Sequence, residues 1–171
     1  IRFRAQAGSW ASGGNLNTGR SQSGCDGTQT STLVASGNAG GSPLTTTAVE
    51  TWNGSSWTEV NDMNTVRREH AGVGTKTDAL AFGGETSTTA VVANTEGWNG
   101  TSWFEINDIN TARRTLRGSG IESSAIGFGG LGPSITGKTE SWNGAVWTEV
   151  NDLSAGRYLL GGAGANNTSG L

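Results

Sequence analysis

A tryptophan-containing phrase recurs along this chain, and this repeat constrains the fold more than any other feature. It reads TWNGSSWTEVND from Thr51, TEGWNGTSWFEIND from Thr95 and ESWNGAVWTEVND from Glu140. A degenerate copy of it ends at Trp10. The second tryptophans lie 47, 46 and 44 residues apart, at Trp10, Trp57, Trp103 and Trp147. Repeats of this period are typical of propeller blades and solenoid units, so the chain is predicted to consist of successive copies of one small unit.

Other residues keep a constant distance from the second tryptophan of each copy. An arginine stands ten positions after it in all four copies: Arg20, Arg67, Arg113 and Arg157. A glutamate stands seven positions before it in three copies, Glu50, Glu96 and Glu140, and Phe3 takes that place in the opening copy. Sixteen positions after the arginine, a glycine pair begins at Gly83 or Gly129, and Ser36-Gly37 replaces it in the first full copy.

Each unit reads as four short strands. The first is small and glycine-rich, as in AGVG from Ala71, and the second alternates large and small apolar residues, as in SAIGF from Ser124. The third ends at the first tryptophan, where the following Asn-Gly favours the positive φ of a hairpin turn. The fourth begins at the second tryptophan, and an Asx-rich crossover leads to the next unit. No unit shows a helical apolar stripe.

Such small sheets cannot bury both faces alone, so each must stack on its neighbours. The predicted fold class is therefore an all-β propeller of four-stranded antiparallel blades, with the tryptophan pairs filling the wedges between sheets. The chain holds about four blade-equivalents, three complete and two terminal halves.

The motif set resembles the kelch-repeat family. The glycine pair after an apolar strand, the glutamate, the paired aromatic residues and the arginine stand in the kelch order across nearly the whole chain. Tryptophan occupies a place more often held by tyrosine, and Ser36 replaces one glycine. The repeated sequence, which is rich in Thr, Asn and Gly, is also similar to repetitive proteins of aquatic bacteriophages and bacteria, although this likeness is looser.

The predicted organisation is one kelch-like propeller over residues 1–171. Its parts are a half blade at 1–19, blades at 20–66, 67–112 and 113–156, and the start of a blade at 157–171. The terminal halves are able to close a four-blade ring as one composite blade. A piece of a longer propeller, or an assembly of chains, is the alternative, because open edges invite pairing with another chain.

Composition argues against several classes of function. A net charge of −3 and a pI near 5.1 give no basic patch for nucleic acid, and no apolar run is long enough to span a membrane. Cys25 and His70 are each unique, so neither an internal disulfide nor a zinc cluster is expected. A kelch-type copper-radical oxidase would need several tyrosines and histidines, whereas this chain has only Tyr158 and His70. We therefore expect no enzyme activity, no cofactor and no metal.

Most acidic residues recur by position, which favours structural roles such as capping turns or pairing with the recurring arginines. Calcium binding at the Asn-Asp crossovers is a less favoured alternative, because the glycine and later glutamate of a calcium loop are missing. His70 is expected at the surface or between blades. Cys25, which stands where other copies have glycine, is expected to be a small buried filler.

The copies differ most between the glycine pair and the next glutamate, where the segment is twelve, eleven and nine residues long. In an up-and-down blade this loop lies on the same face as the residue after each arginine, and binding residues concentrate on such loops. The candidate binding residues are Asn38, Ser42, Glu85, Thr86, Thr88, Pro133 and Ser134 from the loops, with Arg68, Arg114 and Tyr158 after the arginines.

Variable loops without a catalytic constellation favour a non-catalytic binding module that engages a glycan or protein receptor. Its likeness to phage proteins implies an adhesin or tail-fibre role outside the cell or on a virion surface. The alternative is a structural spacer or decoration protein whose partners are other appendage chains or copies of itself. A fragment of a kelch-containing enzyme is the least favoured alternative.

Overall fold

The computed structural model describes residues 13–41 and 44–168. Three antiparallel sheets, each of four strands in sequence order, make up the described chain, which contains no helix. Sheet one comprises β1 (Gly24–Thr28), β2 (Ser31–Asn38), β3 (Thr45–Trp52) and β4 (Trp57–Val60). Sheet two comprises β5 (Ala71–Gly74), β6 (Ala79–Phe82), β7 (Thr95–Trp98) and β8 (Trp103–Ile106). Sheet three comprises β9 (Arg117–Ile121), β10 (Ser124–Phe128), β11 (Thr139–Trp142) and β12 (Trp147–Val150). The fold class is thus all-β with blade-like sheets, as predicted.

The hairpin between the third and fourth strands explains the constant tryptophan spacing. The two tryptophans of each phrase are cross-strand partners, and their ring centroids lie 5.4 Å apart in all three sheets. In the second phrase Gly100 takes a φ of 87°, and the Asn99 side chain accepts hydrogen bonds from the backbone N–H groups of Thr101 and Ser102. The Asn-Gly turn therefore sets the register of the hairpin.

The apolar core lies in the wedges between successive sheets. Leu33 and Ala35 of sheet one belong to one buried cluster with Trp98 and Trp103 of sheet two. The next wedge repeats the arrangement, with Leu80 and Phe82 of sheet two packed with Trp142 and Trp147 of sheet three. The rings of Phe82 and Trp147 have centroids 4.7 Å apart. The tryptophan pairs fill the wedges as predicted.

A buried carboxylate ties each crossover to the sheet that follows it. Glu96, which is fully buried, accepts hydrogen bonds from the backbone N–H groups of Asn64 at 2.8 Å and Thr65 at 3.1 Å. The Arg67 side chain donates to the same carboxylate at 2.8 Å. Equivalent pairs join the other recurring residues, Arg20 with Glu50 and Arg113 with Glu140. The predicted pairing of recurring acids with recurring arginines is confirmed.

Backbone hydrogen bonds near the glycine pairs connect each unit to the next. The second glycine donates to the carbonyl of the following arginine: Gly37 to Arg67, Gly84 to Arg113 and Gly130 to Arg157. Ser36 stands in place of a glycine but keeps the left-handed φ of 55°; its hydroxyl oxygen accepts a hydrogen bond from the backbone N–H of Arg67, and its one proton lies within reach of the carbonyls of Thr46 and Arg67. These hydrogen bonds offset the strain of a non-glycine residue in that region.

The chain after Arg157 continues this contact pattern but forms no strand up to residue 168, although the repeat predicts a first strand there. A first strand pairs with the second strand of its own sheet, and no second strand follows within the described residues.

Cys25 is exposed, so the prediction of a small buried filler is wrong. The corresponding residues of sheets two and three, Gly72 and Gly118, lie against the preceding sheet. A Cβ atom added to Gly72 would contact Gly24 and Cys25, and one added to Gly118 would contact Val73. Sheet one has no preceding sheet among the described residues, and for the same reason Trp52 and Trp57 are only half-buried.

Candidate binding face and central cavity

The loops between second and third strands lie beside the residues that follow the recurring arginines. Isolated antiparallel bridges join Ser21 to Asn38, Arg68 to Glu85 and Arg114 to Leu131. We call the surface formed by these pairs and the adjoining loops the binding face.

A charged network crosses the binding face. The Arg114 side chain contacts Glu69 at 2.8 Å and Glu85 at 3.2 Å, and Arg68 contacts Glu85 at 3.4 Å. Gln22 of sheet one extends the network by donating to Glu69 at 2.7 Å. Glu85 is only 5% exposed, so it supports the two arginines from below instead of facing solvent as a candidate binding residue would. The arginine side chains remain 20% and 30% exposed.

The other candidate loop residues are distributed around this network. Asn38 is the last residue of β2, and its side-chain oxygen accepts a hydrogen bond from the backbone of Gly40. The hydroxyls of Thr86 and Thr88 lie 3.0 Å apart in the second loop. Pro133 and Ser134 are exposed in the third loop, whereas Ser42 lies outside the described residues.

Tyr158 stands one unit beyond Arg114 and is 45% exposed. Its neighbour Leu159 donates a backbone hydrogen bond to Thr115, Thr115 donates to Glu69, and Glu69 donates to Gln22. All four of these linked residues have a positive φ of 52–58°. This shared backbone conformation places the residue after each arginine on the same face, so Tyr158 belongs with Arg68 and Arg114.

A cavity of about 620 Å³ lies between the first strands of the sheets. β1, β5 and β9 provide three of its walls, and residues 160–164 provide the fourth. Seven of the fifteen described lining residues are glycines, and at these positions backbone groups face the cavity directly. The titratable residues in the lining are Cys25, Asp26, His70 and Arg117.

His70 is buried between sheets one and two, which confirms one of the two positions expected from the sequence. Its Nε2 accepts a hydrogen bond from the backbone N–H of Gly24 at 3.2 Å. Burial, together with the charges on Arg67 and Arg117, lowers the pKa of His70 to about 3. The neutral ring therefore carries its proton on Nδ1, which has no hydrogen-bond partner. Because Nε2 is already occupied, the ring offers no free lone pair for general base catalysis.

Two of the three crossover aspartates cap backbone N–H groups, and Asp62 accepts a hydrogen bond from the hydroxyl of Thr47. Asp108 accepts a hydrogen bond from the N–H of Thr95 at 3.0 Å, and Asp152 accepts one from Thr139 at 3.0 Å. Within residues 13–41 and 44–168, no group of three or more His, Cys, Asp or Glu side chains is placed to hold a metal ion. No helix in the same part of the chain is long and apolar enough to cross a membrane.

Neither a protein-family model nor a curated protein matches the chain.

Three charged residues of these sites, Asp26, Glu69 and Arg117, were not among the sequence candidates. Glu69 organises the binding face through its contact with Arg114, but nothing in its local sequence distinguishes it from other surface acids. Arg117 could have been singled out from the sequence, because the same repeat position holds Gly24, Ala71 and Gly161 in the other units. A residue that departs from the repeat in size and charge is a candidate for a role specific to one position.

Proposed function

We propose that this chain is a non-catalytic binding module with kelch-like propeller architecture, which engages a glycan or protein receptor through its binding face. The observation that carries the proposal is the pair of partly exposed arginines that both contact the buried Glu85. Glu85 holds the partly exposed guanidinium groups of Arg68 and Arg114 in fixed positions beside loops of unequal length. Pre-organised guanidinium groups lose little conformational entropy when they bind a partner.

Tyr158 adds an exposed aromatic ring to the same face. Tyrosine and arginine are the side chains most often found at the energetic centre of binding interfaces. An aromatic ring beside guanidinium donors and threonine hydroxyls suits a polyhydroxylated or mixed polar surface. We accordingly propose that the protein acts outside the cell or on a virion, where such receptors are displayed.

Binding of the full chain to a glycan array and to isolated cell-envelope components tests this proposal. The variants Tyr158→Ala and Arg114→Ala are expected to weaken binding by roughly 5- to 100-fold, which corresponds to about 1–3 kcal/mol. Lys76→Ala is the matched control, since Lys76 lies in the β5–β6 turn at the opposite ends of the strands. Absence of binding by the wild-type chain to every glycan and envelope component would contradict receptor binding.

A structural role in an assembly is the second candidate. Ile126, Phe128 and Val150 line an open groove of about 440 Å³ on sheet three, whereas the corresponding residues of sheets one and two are covered by tryptophan pairs. Light scattering of the purified chain tests this candidate. A strictly monomeric species at all concentrations would count against self-assembly.

A further inference from the structure

The central cavity contains a cation that the repeat does not require. Arg117 lies at the start of β9, where its counterparts in the other units are glycine or alanine. Those small residues let the first strands approach one another, whereas Arg117 places a guanidinium group in the lining of the cavity. The side chain is half-buried, so part of its hydration is lost.

The hydrogen bonds of Arg117 do not neutralise its charge. Nε donates to the carbonyl of Leu160 at 2.8 Å, and Nη1 donates weakly to that of Leu116 at 3.4 Å. No carboxylate in the described part of the chain forms an ion pair with this guanidinium, and Nη2 has no hydrogen-bond partner there. By contrast, the buried arginines Arg67 and Arg113 each form an ion pair with a glutamate.

Asp26 is the one carboxylate among the described residues of the lining, and it is engaged elsewhere. It accepts a hydrogen bond from the backbone N–H of Gly27 at 2.7 Å and another from Gly74. In its own unit Asp26 lies two residues further along the first strand than the position that Arg117 occupies in sheet three. Two residues correspond to a displacement of about 7 Å along a strand. Burial raises the pKa of Asp26, because it disfavours the charged form of the carboxylate. His70 is neutral.

We propose that the central cavity binds a small anion, or the anionic group of a larger ligand, on the guanidinium of Arg117. A carboxylate, sulfate or phosphate group supplies the countercharge that the described residues lack, and Nη2 offers the free donor. Its volume of about 620 Å³ is in the usual range for small-ligand sites. The glycine-lined walls allow an anion to approach backbone groups closely. This site is distinct from the receptor contacts on the binding face.

Titration of the ¹⁵N-labelled full chain with sodium sulfate, sodium phosphate and sodium acetate tests the proposal by NMR. Ionic strength is held constant with sodium chloride, so that general screening does not change. The expected result is a saturable shift of the amide signals of Gly118 and Gly162, which line the same cavity as Arg117. The order of affinity among the three probes identifies which anionic group the site prefers.

Arg117→Ala copies the residue found at this position in sheet two, and we expect it to weaken anion binding at least 10-fold. Arg117→Lys retains the charge but loses the planar donor pair, so an intermediate affinity is expected. Lys138→Ala is the charge-matched control, because Lys138 lies at an exposed ion pair with Glu149 and its removal is expected to leave binding unchanged.

Two outcomes would overturn the proposal. The first is a wild-type spectrum that shows no saturable shift with any of the three probes. The second is an equal loss of affinity in the Arg117 and Lys138 variants, which would indicate attraction by overall charge alone. Because the test uses simple anions on the wild-type chain, it does not depend on finding the receptor of the binding face.

Discussion

Replacing His70 by leucine is expected to change how the stability of this protein depends on pH. His70 is the only histidine, so the effect of its ionisation can be isolated. Leu116 and Leu160 occupy the same position in later units, so leucine suits the repeat. The variant loses the acceptor for the backbone N–H of Gly24, which leaves a buried donor unpaired and costs about 1–3 kcal/mol near neutral pH.

The magnitude of the pH effect follows from the lowered pKa. A histidine in an unfolded chain has a pKa of about 6.5, whereas burial lowers the pKa of His70 in the folded protein to about 3. Between these values the unfolded chain binds one more proton than the folded chain, so stability falls as the pH decreases through this window. Below the unfolded pKa of about 6.5 the slope is about 1.4 kcal/mol per pH unit, and above it the slope is close to zero. The loss of stability between pH 7.5 and pH 5 is therefore about 2 kcal/mol.

Urea unfolding followed by tryptophan fluorescence measures this effect at both pH values. Titration of carboxylates affects wild type and variant alike, so the comparison isolates His70. We expect the stability difference between wild type and His70→Leu to shrink by about 2 kcal/mol from pH 7.5 to pH 5. If the difference is the same at both pH values, His70 is not held as a buried neutral ring and the reasoning is refuted.

Two further predictions concern contacts that recur in every unit. Glu96→Gln leaves the buried Arg67 without a countercharge and is expected to cost about 3–5 kcal/mol in urea unfolding; a loss below about 1 kcal/mol would show that the guanidinium finds other partners. Gly84→Ala places a Cβ 2.7 Å from the carbonyl oxygen of Arg68 at a φ of 106°, and is expected to cost at least about 2 kcal/mol. Gly19→Ala is its control, because nothing lies within 4 Å of that position and its stability is expected to change by less than about 0.5 kcal/mol. Equal stability of the two alanine variants would contradict the role assigned to Gly84.

Periodicity predicted the strands well because several strand ends coincide with a tryptophan or precede a glycine of positive φ. The third strands end and the fourth strands begin at the tryptophans, as the Asn-Gly turns indicated. The Glu96–Arg67 contact was also predictable, since two opposite charges that recur at constant spacing are expected to meet. These features depend on interactions within one unit, so three copies of the sequence report the same local structure.

Predictions that depended on the neighbouring unit were less successful. Cys25 was expected to be buried, but burial at this position is provided by a preceding sheet. Glu85 was expected to face a ligand, yet it lies beneath two arginines from different units. The position of Glu69 follows from a left-handed backbone conformation that its sequence does not reveal.

The sequence by itself determined the composition of the repeating unit, the strand order and the residues that bury apolar surface. Alternation, turn residues and recurrent charges are local signals, and each is legible in a single unit. Only the tertiary structure decided which side chains of different units meet, how far each is buried and where a charge lacks a countercharge. These properties depend on the distances between stacked sheets, and it is those distances that bring Arg114 to Glu69 and leave Arg117 without a countercharge among the described residues that line the central cavity.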